Sequence, residues 1–245
     1  MLKFFQRIRR KLIDEGNFQK YLIYAIGEIL LVVIGILIAI QINNRNQYNK
    51  DRVLEIEILE EIKNNIETDF VDHNQNMFNL NQIVTSSEII LGHLNQDLPY
   101  HDSLEYHFSW LAMGANFDAV KSGYELMVSK GVNIISNDTI RQKISHLYSN
   151  RYTWLRDFLK DRQQQNSLMV LNEMMLKFKS FKNTISAVPR NYDQLRSDYD
   201  FKVKVEQNGS MHEVTKGFYQ TLIIDEAKIL LQNIEDEVKR LEIGF

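Results

Sequence analysis

One stretch of this sequence begins like the metal-binding helix of a zinc protease. It is HEVTK, in which His212 is followed directly by the carboxylate of Glu213. A zinc site of that kind needs a second imidazole one helical turn after the first. Lys216 occupies that position, and its positive charge would repel the metal ion. We therefore predict no metal site at this stretch.

A second group of candidate residues is His101, Glu105 and His107. His101 and Glu105 are one helical turn apart and share a helical face, but His107 lies off that face. We interpret them as surface or loop histidines. Lys121 and Ser122 are adjacent, so on a helix their side chains would diverge by about 100° and form no catalytic dyad.

Several other kinds of site are excluded by residue types and motifs that are missing from the 245 residues. Cysteine is absent, which excludes disulfides, Cys-based zinc sites and thiol nucleophiles. The sequence also has no glycine-rich phosphate loop and no nucleophile elbow. We predict no catalytic residue, no metal and no cofactor, and we keep an enzyme only as an alternative.

Arginines and aromatic residues are mixed in the stretch YSNRYTWLRDF, from Tyr148 to Phe158. Arg151, Trp154 and Arg156 have the side chains that form anion or partner sites, through bidentate hydrogen bonds and ring stacking. The alternative is a helix with an aromatic core face and a charged outer face.

The elements that would position such residues start with a long apolar segment, Tyr21–Ile42. At about 1.5 Å per residue, a helix over this segment would cross the ~30 Å hydrocarbon core of a bilayer. A cleaved signal peptide is shorter and needs a small-x-small site, which Ala39-Ile40-Gln41 does not supply. A buried core helix would show a polar face, which Ile29–Ile40 lacks. We predict a transmembrane helix.

Glu28 is a carboxylate inside this predicted span. Three interpretations are open. Glu28 is protonated or reaches the headgroups and Lys20, it pairs with a polar group on another membrane helix, or it carries protons. Small residues four apart, Gly35 and Ala39, let helices approach closely, and Gly27 adjoins the glutamate. We predict a helix contact through Glu28, Gly27, Gly35 and Ala39, with a homo-oligomer through this helix as one form of it.

Charge is distributed unevenly around the span. Residues 1–20 hold six Lys or Arg against two Asp or Glu, whereas residues 45–245 hold 23 against 29. Cations gather on the cytoplasmic side of membrane helices, so we predict a cytoplasmic N-terminus and a periplasmic main domain at a bacterial inner membrane. Residues 1–15 are either a surface helix on anionic lipid or a simple basic flank. The acidic main domain argues against a nucleic-acid partner.

Two stretches resemble an uncharacterised bacterial family, the domain of unknown function 6090 family. The first is KYLIYAIGEILLVVIGILIAIQINN, Lys20–Asn44, behind a basic arm. The second is AVKSGYELMVSKGVNIISNDTIRQKISHLY, Ala119–Tyr148. The family often has a tryptophan where this chain has Arg45. The resemblance implies a single span followed by a helical domain, and it brings no known activity.

Helical periodicity continues after the span. Apolar residues at steps of three and four predict helices with their core faces at Ile56–Phe70, Ile140–Leu159, Leu168–Phe178 and Phe218–Leu241. A further helix is predicted over Phe117–Lys130, and Asn137 is a predicted N-cap. Asp200–Val214 alternates like a strand up to Asn208-Gly209, where we favour a turn followed by the final helix.

These patterns predict an all-α chain with three parts. Residues 1–20 form a basic cytoplasmic arm, 21–42 a transmembrane helix, and 43–245 an extracytoplasmic antiparallel helical bundle. The predicted function is a non-enzymatic, membrane-anchored interaction or scaffold protein with an unknown protein partner. The alternatives are an anchored small-ligand sensor or enzyme with a pocket in the bundle, and an accessory subunit of a transport complex docked through Glu28.

Overall fold

The computed structural model describes residue 10 and residues 18–243. Residues 1–15, predicted as either a surface helix or a basic flank, lie outside the described residues apart from Arg10. The chain divides between Leu54 and Glu55 into two compact units. Helix α1 runs from Phe18 to Asn95 and contributes to both.

The first unit contains the apolar part of α1. From Leu22 to Ile42 its large apolar side chains are exposed, ranging from 43% at Val33 to 69% at Ile23. Within the described residues, this helix is the one long and apolar enough to cross a membrane. A core helix of a soluble protein would bury such side chains, so this exposure fits a helix surrounded by lipid. The apolar helix could therefore span a membrane, while its orientation stays a prediction.

The second unit is built almost entirely of helices. After the remainder of α1 come α2 (Leu104–Trp110), α3 (Ser122–Lys130), α4 (Asp138–His146), α5 (Tyr152–Phe158), α6 (Gln164–Lys177), α7 (Tyr192–Ser197), α8 (Tyr199–Tyr219) and α9 (Asp225–Ile243). A 3₁₀ turn covers Val132–Ile134, and π turns cover Leu147–Arg151, Leu159–Gln163 and Gln220–Ile224. The all-α prediction is confirmed apart from one small hairpin.

That hairpin was not predicted from the sequence. Strand β1 (Phe178–Lys182) pairs antiparallel with β2 (Ser186–Pro189), and Thr184 in the turn has a φ of 59°. The predicted apolar stripe of this region was wrong at Leu168 and Met175, which are 47% and 67% exposed. Buried residues of α6, the hairpin and α8 form one core cluster around α2, including Val170, Met174, Phe178, Ala187 and Phe201.

Asn208 and Gly209 lie inside α8, so the predicted turn is wrong. The Asn208 amide is fully buried, accepts a hydrogen bond from Asn166 Nδ2 at 2.7 Å and donates one to the Leu111 carbonyl at 2.9 Å. A Cβ atom on Gly209 would lie 2.9 Å from Ser87 Cβ. Asn208 and Gly209 therefore pack α8 against neighbouring elements. These tertiary contacts override the local preference of the pair for a turn.

Residues 115–121 are not helical, so α3 begins at Ser122 and not at the predicted Phe117. Side chains of α1 bond the backbone of this segment and of the α3 start. Asp69 Oδ1 accepts from Val120 N at 2.9 Å, and Asn65 Oδ1 accepts from Gly123 N at 2.9 Å. These bonds satisfy backbone donors that a longer helix would have used internally.

The predicted N-cap of α4 is confirmed. Asn137 Oδ1 accepts from Thr139 N at 3.1 Å and from Ile140 N at 3.3 Å. The cap fixes where α4 begins and therefore which residues of the helical run from Asp138 to Lys177 face the core.

Candidate functional site

The predicted membrane contact residues all lie on α1. Glu28, Gly35 and Ala39 are seven and four residues apart, so they share one helical face, and Gly27 lies about 100° from Glu28. A Cβ atom added at Gly27 or Gly35 would meet nothing within 4 Å. The surface at these glycines is open to a neighbouring helix.

The three predicted patch residues do not form one site. The Arg151 guanidinium donates to both carboxylate oxygens of Glu226, at 2.9 and 2.7 Å. These hydrogen bonds raise the pKa of Arg151. Arg156 donates to Asp157 Oδ1 through Nε and Nη2, at 3.0 and 2.9 Å. Trp154 packs against aromatic rings instead. The patch predicted from sequence is therefore divided among three separate sets of contacts.

Trp154 belongs to a partly exposed group of rings, the aromatic cluster, made of the exposed Trp154 and Phe218 and the half-buried Phe158. The Trp154 and Phe158 rings stack with centroids 5.1 Å apart and an interplanar angle of 20°. Phe218 meets them edge-on, at 6.0 Å from Trp154 and 6.4 Å from Phe158. Trp154 remains 39% exposed and Phe218 42%. The apolar stripes predicted from sequence placed Phe158 and Phe218 in the core, and the exposure of Phe218 overturns that prediction.

A cleft on another part of the second unit carries positive charge. We name it the basic cleft, and its volume is about 370 Å³. One wall is the chain from Gly114 to Phe117, and the other comes from α5, the following π turn and α6. That second wall consists of Arg156, Leu159, Lys160, Gln163, Gln164 and Ser167. None of these described lining residues is acidic.

Gln163 is the most constrained polar residue of the basic cleft. Its side chain is 1% exposed, and its Oε1 accepts from Ala115 N at 3.3 Å. Its Nε2 is buried and has no hydrogen-bond partner. The amide therefore holds the two walls together and leaves donor hydrogens unused, which is an unfavourable state for a buried donor.

A larger groove of about 720 Å³ lies beside the Arg151–Glu226 pair. Its apolar walls include Leu147, Ile229 and Leu230, and Glu226 and His146 lie at its polar side. His146 Nε2 is 3.9 Å from Glu226 Oε2. This groove and the basic cleft are distinct, because they share no lining residue.

Buried polar residues of α1 and α8 form an internal network that sequence reasoning missed. Tyr219 Oη accepts from Asn76 Nδ2 at 3.0 Å and lies 3.0 Å from His73 Nδ1. Burial lowers the pKa of His73 to about 4 and raises the pKa of Asp69 to about 6. The Tyr152 hydroxyl is close enough to lower the pKa of Asp69 in part, although it makes no hydrogen bond of standard geometry.

This internal network is closed to solvent and contains mostly uncharged groups. Asp69, His73, Tyr152 and Tyr219 are each at most 1% exposed. A substrate could not reach them without opening the fold. We therefore assign the network to packing and pH response, and not to a reaction at the surface.

The histidines considered from the sequence do not converge. His212 is fully buried, and its Nδ1 lies 2.7 Å from the Asn208 carbonyl oxygen. His107 Nδ1 contacts Ser86 Oγ at 3.1 Å, and His101 Nδ1 contacts Ser103 Oγ at 2.7 Å. Over residues 18–243, no group of three His, Asp or Glu side chains is arranged to hold a metal ion.

Comparison with known proteins identifies a family. A family model described as "Family of unknown function (DUF6090)" matches residues 28–160. The matched region covers just over half of the 245 residues and includes Glu28, Trp154 and Arg156. Neither the curated proteins nor the solved structures gave a match.

Proposed function

The chain belongs to this family, as its resemblance predicted, and from that premise we propose that it is a membrane-anchored, non-enzymatic binding protein. The apolar part of α1 anchors it in a bacterial inner membrane, and the helical domain lies in the periplasm. There the aromatic cluster docks an apolar face of a partner protein of the cell envelope.

The aromatic cluster carries this proposal. Trp154, Phe158 and Phe218 already contact one another, so they lose little conformational entropy when a partner covers them. Burying an aromatic side chain is worth about 1.5–3 kcal/mol, and tryptophan is enriched at the centres of interfaces. Val214, one helical turn before Phe218, is 51% exposed and extends the apolar surface along α8.

The chemistry of the partner follows from the same surface. Apart from the indole N–H of Trp154, three rings and a valine offer no hydrogen-bonding group, so we expect apolar or aromatic side chains opposite them. The charged side chains nearest in sequence pair with one another, Arg156 with Asp157 and Lys216 with Glu213, and leave no net charge to select an acidic or a basic partner.

Site-specific photo-crosslinking of the full chain in its native membrane tests this function. Benzoylphenylalanine would replace Trp154 or Phe218, and Tyr199 would be the control because it is an aromatic residue of α8 that is 75% exposed. We expect the same crosslinked protein from Trp154 and Phe218 and none of it from Tyr199. Identical products from all three positions, or no product from the cluster, would contradict the proposal.

A quantitative companion experiment uses Trp154→Ala and Phe218→Ala. Both side chains are partly solvated, so circular dichroism should show an unchanged helical fold. We expect each variant to retain about tenfold less of the crosslinked partner during purification, since a truncated interface hot spot weakens binding by at least that factor.

A further inference from the structure

We propose that the basic cleft binds the phosphate group of a small phosphomonoester. This site is separate from the aromatic cluster and does not depend on partner docking. On a helix, Trp154 and Arg156 point about 160° apart, so docking and phosphate binding would use different sides of α5.

Two cations converge on the cleft. Arg156 and Lys160 are one helical turn apart, and both line it. Asp157 pairs with Arg156 but does not line the cleft, and no described lining residue is acidic, so Lys160 leaves the cleft with a net positive charge. An anion entering it therefore meets attraction without an opposing carboxylate in the wall.

Arg156 can contact a ligand while it holds Asp157. Its Nε and Nη2 atoms bond Asp157 Oδ1, and Nη1 takes no part in that pair. The two side chains are 43% and 56% exposed, so this ion pair contributes little and can be exchanged for a ligand oxygen. A guanidinium binds phosphate with the same geometry that it uses for a carboxylate.

The buried amide of Gln163 points independently to a ligand that accepts hydrogen bonds. Its Nε2 donors have no partner, although the side chain is 1% exposed and lines the cleft. A phosphate oxygen would satisfy this donor together with the two cations. Cations alone occur on many protein surfaces, whereas an unused buried donor beside them indicates a built site.

The local backbone brings these groups together. The π turn Leu159–Gln163 holds one extra residue compared with an α-helical turn, and such turns recur at functional sites. It lies between Arg156 on α5 and Ser167 on α6, both of which line the cleft. Across from it, a Cβ atom added at Gly114 would lie 3.5 Å from Ser167 Oγ, which is an ordinary contact distance.

The apolar part of the cleft defines the rest of the ligand. Phe117 and Leu159 line it and are 6% and 3% exposed, so they present a small apolar surface beside the charged groups. A volume of about 370 Å³ falls at the small end of ligand sites, large enough for a phosphate and a compact ring or chain. The phosphate can belong to a soluble ester or to a lipid headgroup.

Isothermal titration of the full chain, in a nonionic detergent, with phenyl phosphate tests the proposal. We expect saturable binding, weaker binding of inorganic phosphate, and weakening with added salt. Arg156→Gln and Lys160→Gln should each weaken binding about tenfold, because each removes a charge-assisted hydrogen bond. Gln163→Glu keeps the acceptor for Ala115 N and should abolish binding by placing a negative charge in the cleft.

Arg162→Gln is the matched control. Arg162 lies in the same π turn and carries the same charge, but it is exposed and does not line the cleft. Its substitution should leave the affinity within about twofold of the original, since it removes only a screened charge at a distance. Equal losses from Arg162→Gln and Arg156→Gln would overturn the site.

A second arm of the experiment distinguishes the two sources of phosphate. The full chain would be placed in nanodiscs of phosphatidylcholine alone or with phosphatidic acid, and phenyl phosphate titrated into each. Competition by phosphatidic acid assigns the cleft to a lipid headgroup, and unchanged binding assigns it to a soluble ester. No binding of phenyl phosphate and no effect of phosphatidic acid would overturn the proposal, while the crosslinking result at Trp154 would be unaffected.

Discussion

His73 and Tyr219 are joined by a 3.0 Å contact between the imidazole Nδ1 and the phenol oxygen, and both side chains are fully buried. Asn76 Nδ2 donates to the same oxygen, at 3.0 Å. Burial lowers the pKa of His73 to about 4, so the imidazole is neutral near pH 7. A buried neutral histidine connects the stability of this domain to pH.

We expect the substitution His73→Gln to change the acid side of the stability profile. Burial lowers the pKa of His73 from 6.5 to about 4, so its favourable contribution is present above pH 6.5 and is lost as the pH falls towards 4. The original chain should lose roughly 3 kcal/mol of unfolding free energy relative to the variant across that range. Denaturant titration followed by circular dichroism measures both curves, and parallel curves would contradict the assignment.

Asp69→Asn should act in the opposite direction. Burial, the largest effect, raises the pKa of Asp69 from 3.8 to about 6, against the hydrogen bond from Val120 N. The protonated form is thus favoured by folding, and this contribution is present below pH 3.8 and lost as the pH rises through 6. We expect the variant to equal the original chain near pH 4 and to exceed it by roughly 2–3 kcal/mol at pH 8.

The same denaturant titrations supply the control for Asp69. Asp72 is also acidic and lies three residues later on α1, and it lines an open cleft. Asp72→Asn should change the profile much less than Asp69→Asn, because burial of Asp69 raises its pKa more than the charge of Asp72 does. A profile that responds equally to both substitutions would exclude burial as the cause.

Two glycines should respond oppositely to alanine. A Cβ atom at Gly123 would lie 2.7 Å from the backbone nitrogen of Ile62, so α1 and α3 would have to separate. We expect Gly123→Ala to destabilise the fold by about 1–3 kcal/mol. At Gly217, inside α8, nothing lies within 4 Å, and Gly217→Ala should stabilise by about 0.5–1 kcal/mol.

Melting curves of the two alanine variants measure this difference directly. A lowered midpoint for Gly217→Ala together with a raised one for Gly123→Ala would show that the close approach of α1 and α3 does not exist in solution.

Glu28 is expected to hold the membrane helix against a second helix. Purification of the tagged chain in mild detergent should recover a multi-span partner or a second copy of the chain. Glu28→Gln should reduce this recovery severalfold, because a polar contact within lipid contributes about 0.6–2 kcal/mol. The matched control, Ile29→Val, changes an exposed neighbour without removing a polar group. Unchanged association in Glu28→Gln would remove the docking role.

The orientation of the chain is tested with reporters fused after Phe245. The excess of cations in residues 1–20 predicts a periplasmic C-terminus. Alkaline phosphatase, which is active only outside the cytoplasm, should be active in the fusion, and green fluorescent protein exported through the same route should be dark. The reverse pattern would place the helical domain in the cytoplasm.

The sequence by itself predicted the features that depend on neighbouring residues. The apolar segment Tyr21–Ile42 is a local property of composition and length, and the cap at Asn137 depends on two backbone groups within three residues. The family model matches residues 28–160, which include most of this apolar segment. The all-α class followed from periodicity over single helices.

Only the tertiary structure decided which side chains remain at the surface and which converge. Phe218 has the spacing of a core residue but is 42% exposed, and the rings that it meets are the exposed Trp154 and the half-buried Phe158. Asn208 looks like a turn residue and is buried because Asn166 and the Leu111 carbonyl satisfy its amide. The basic cleft brings Ala115 to Gln163 across 48 positions. Periodicity reports which face of a helix is apolar, but contacts between distant segments determine what covers that face.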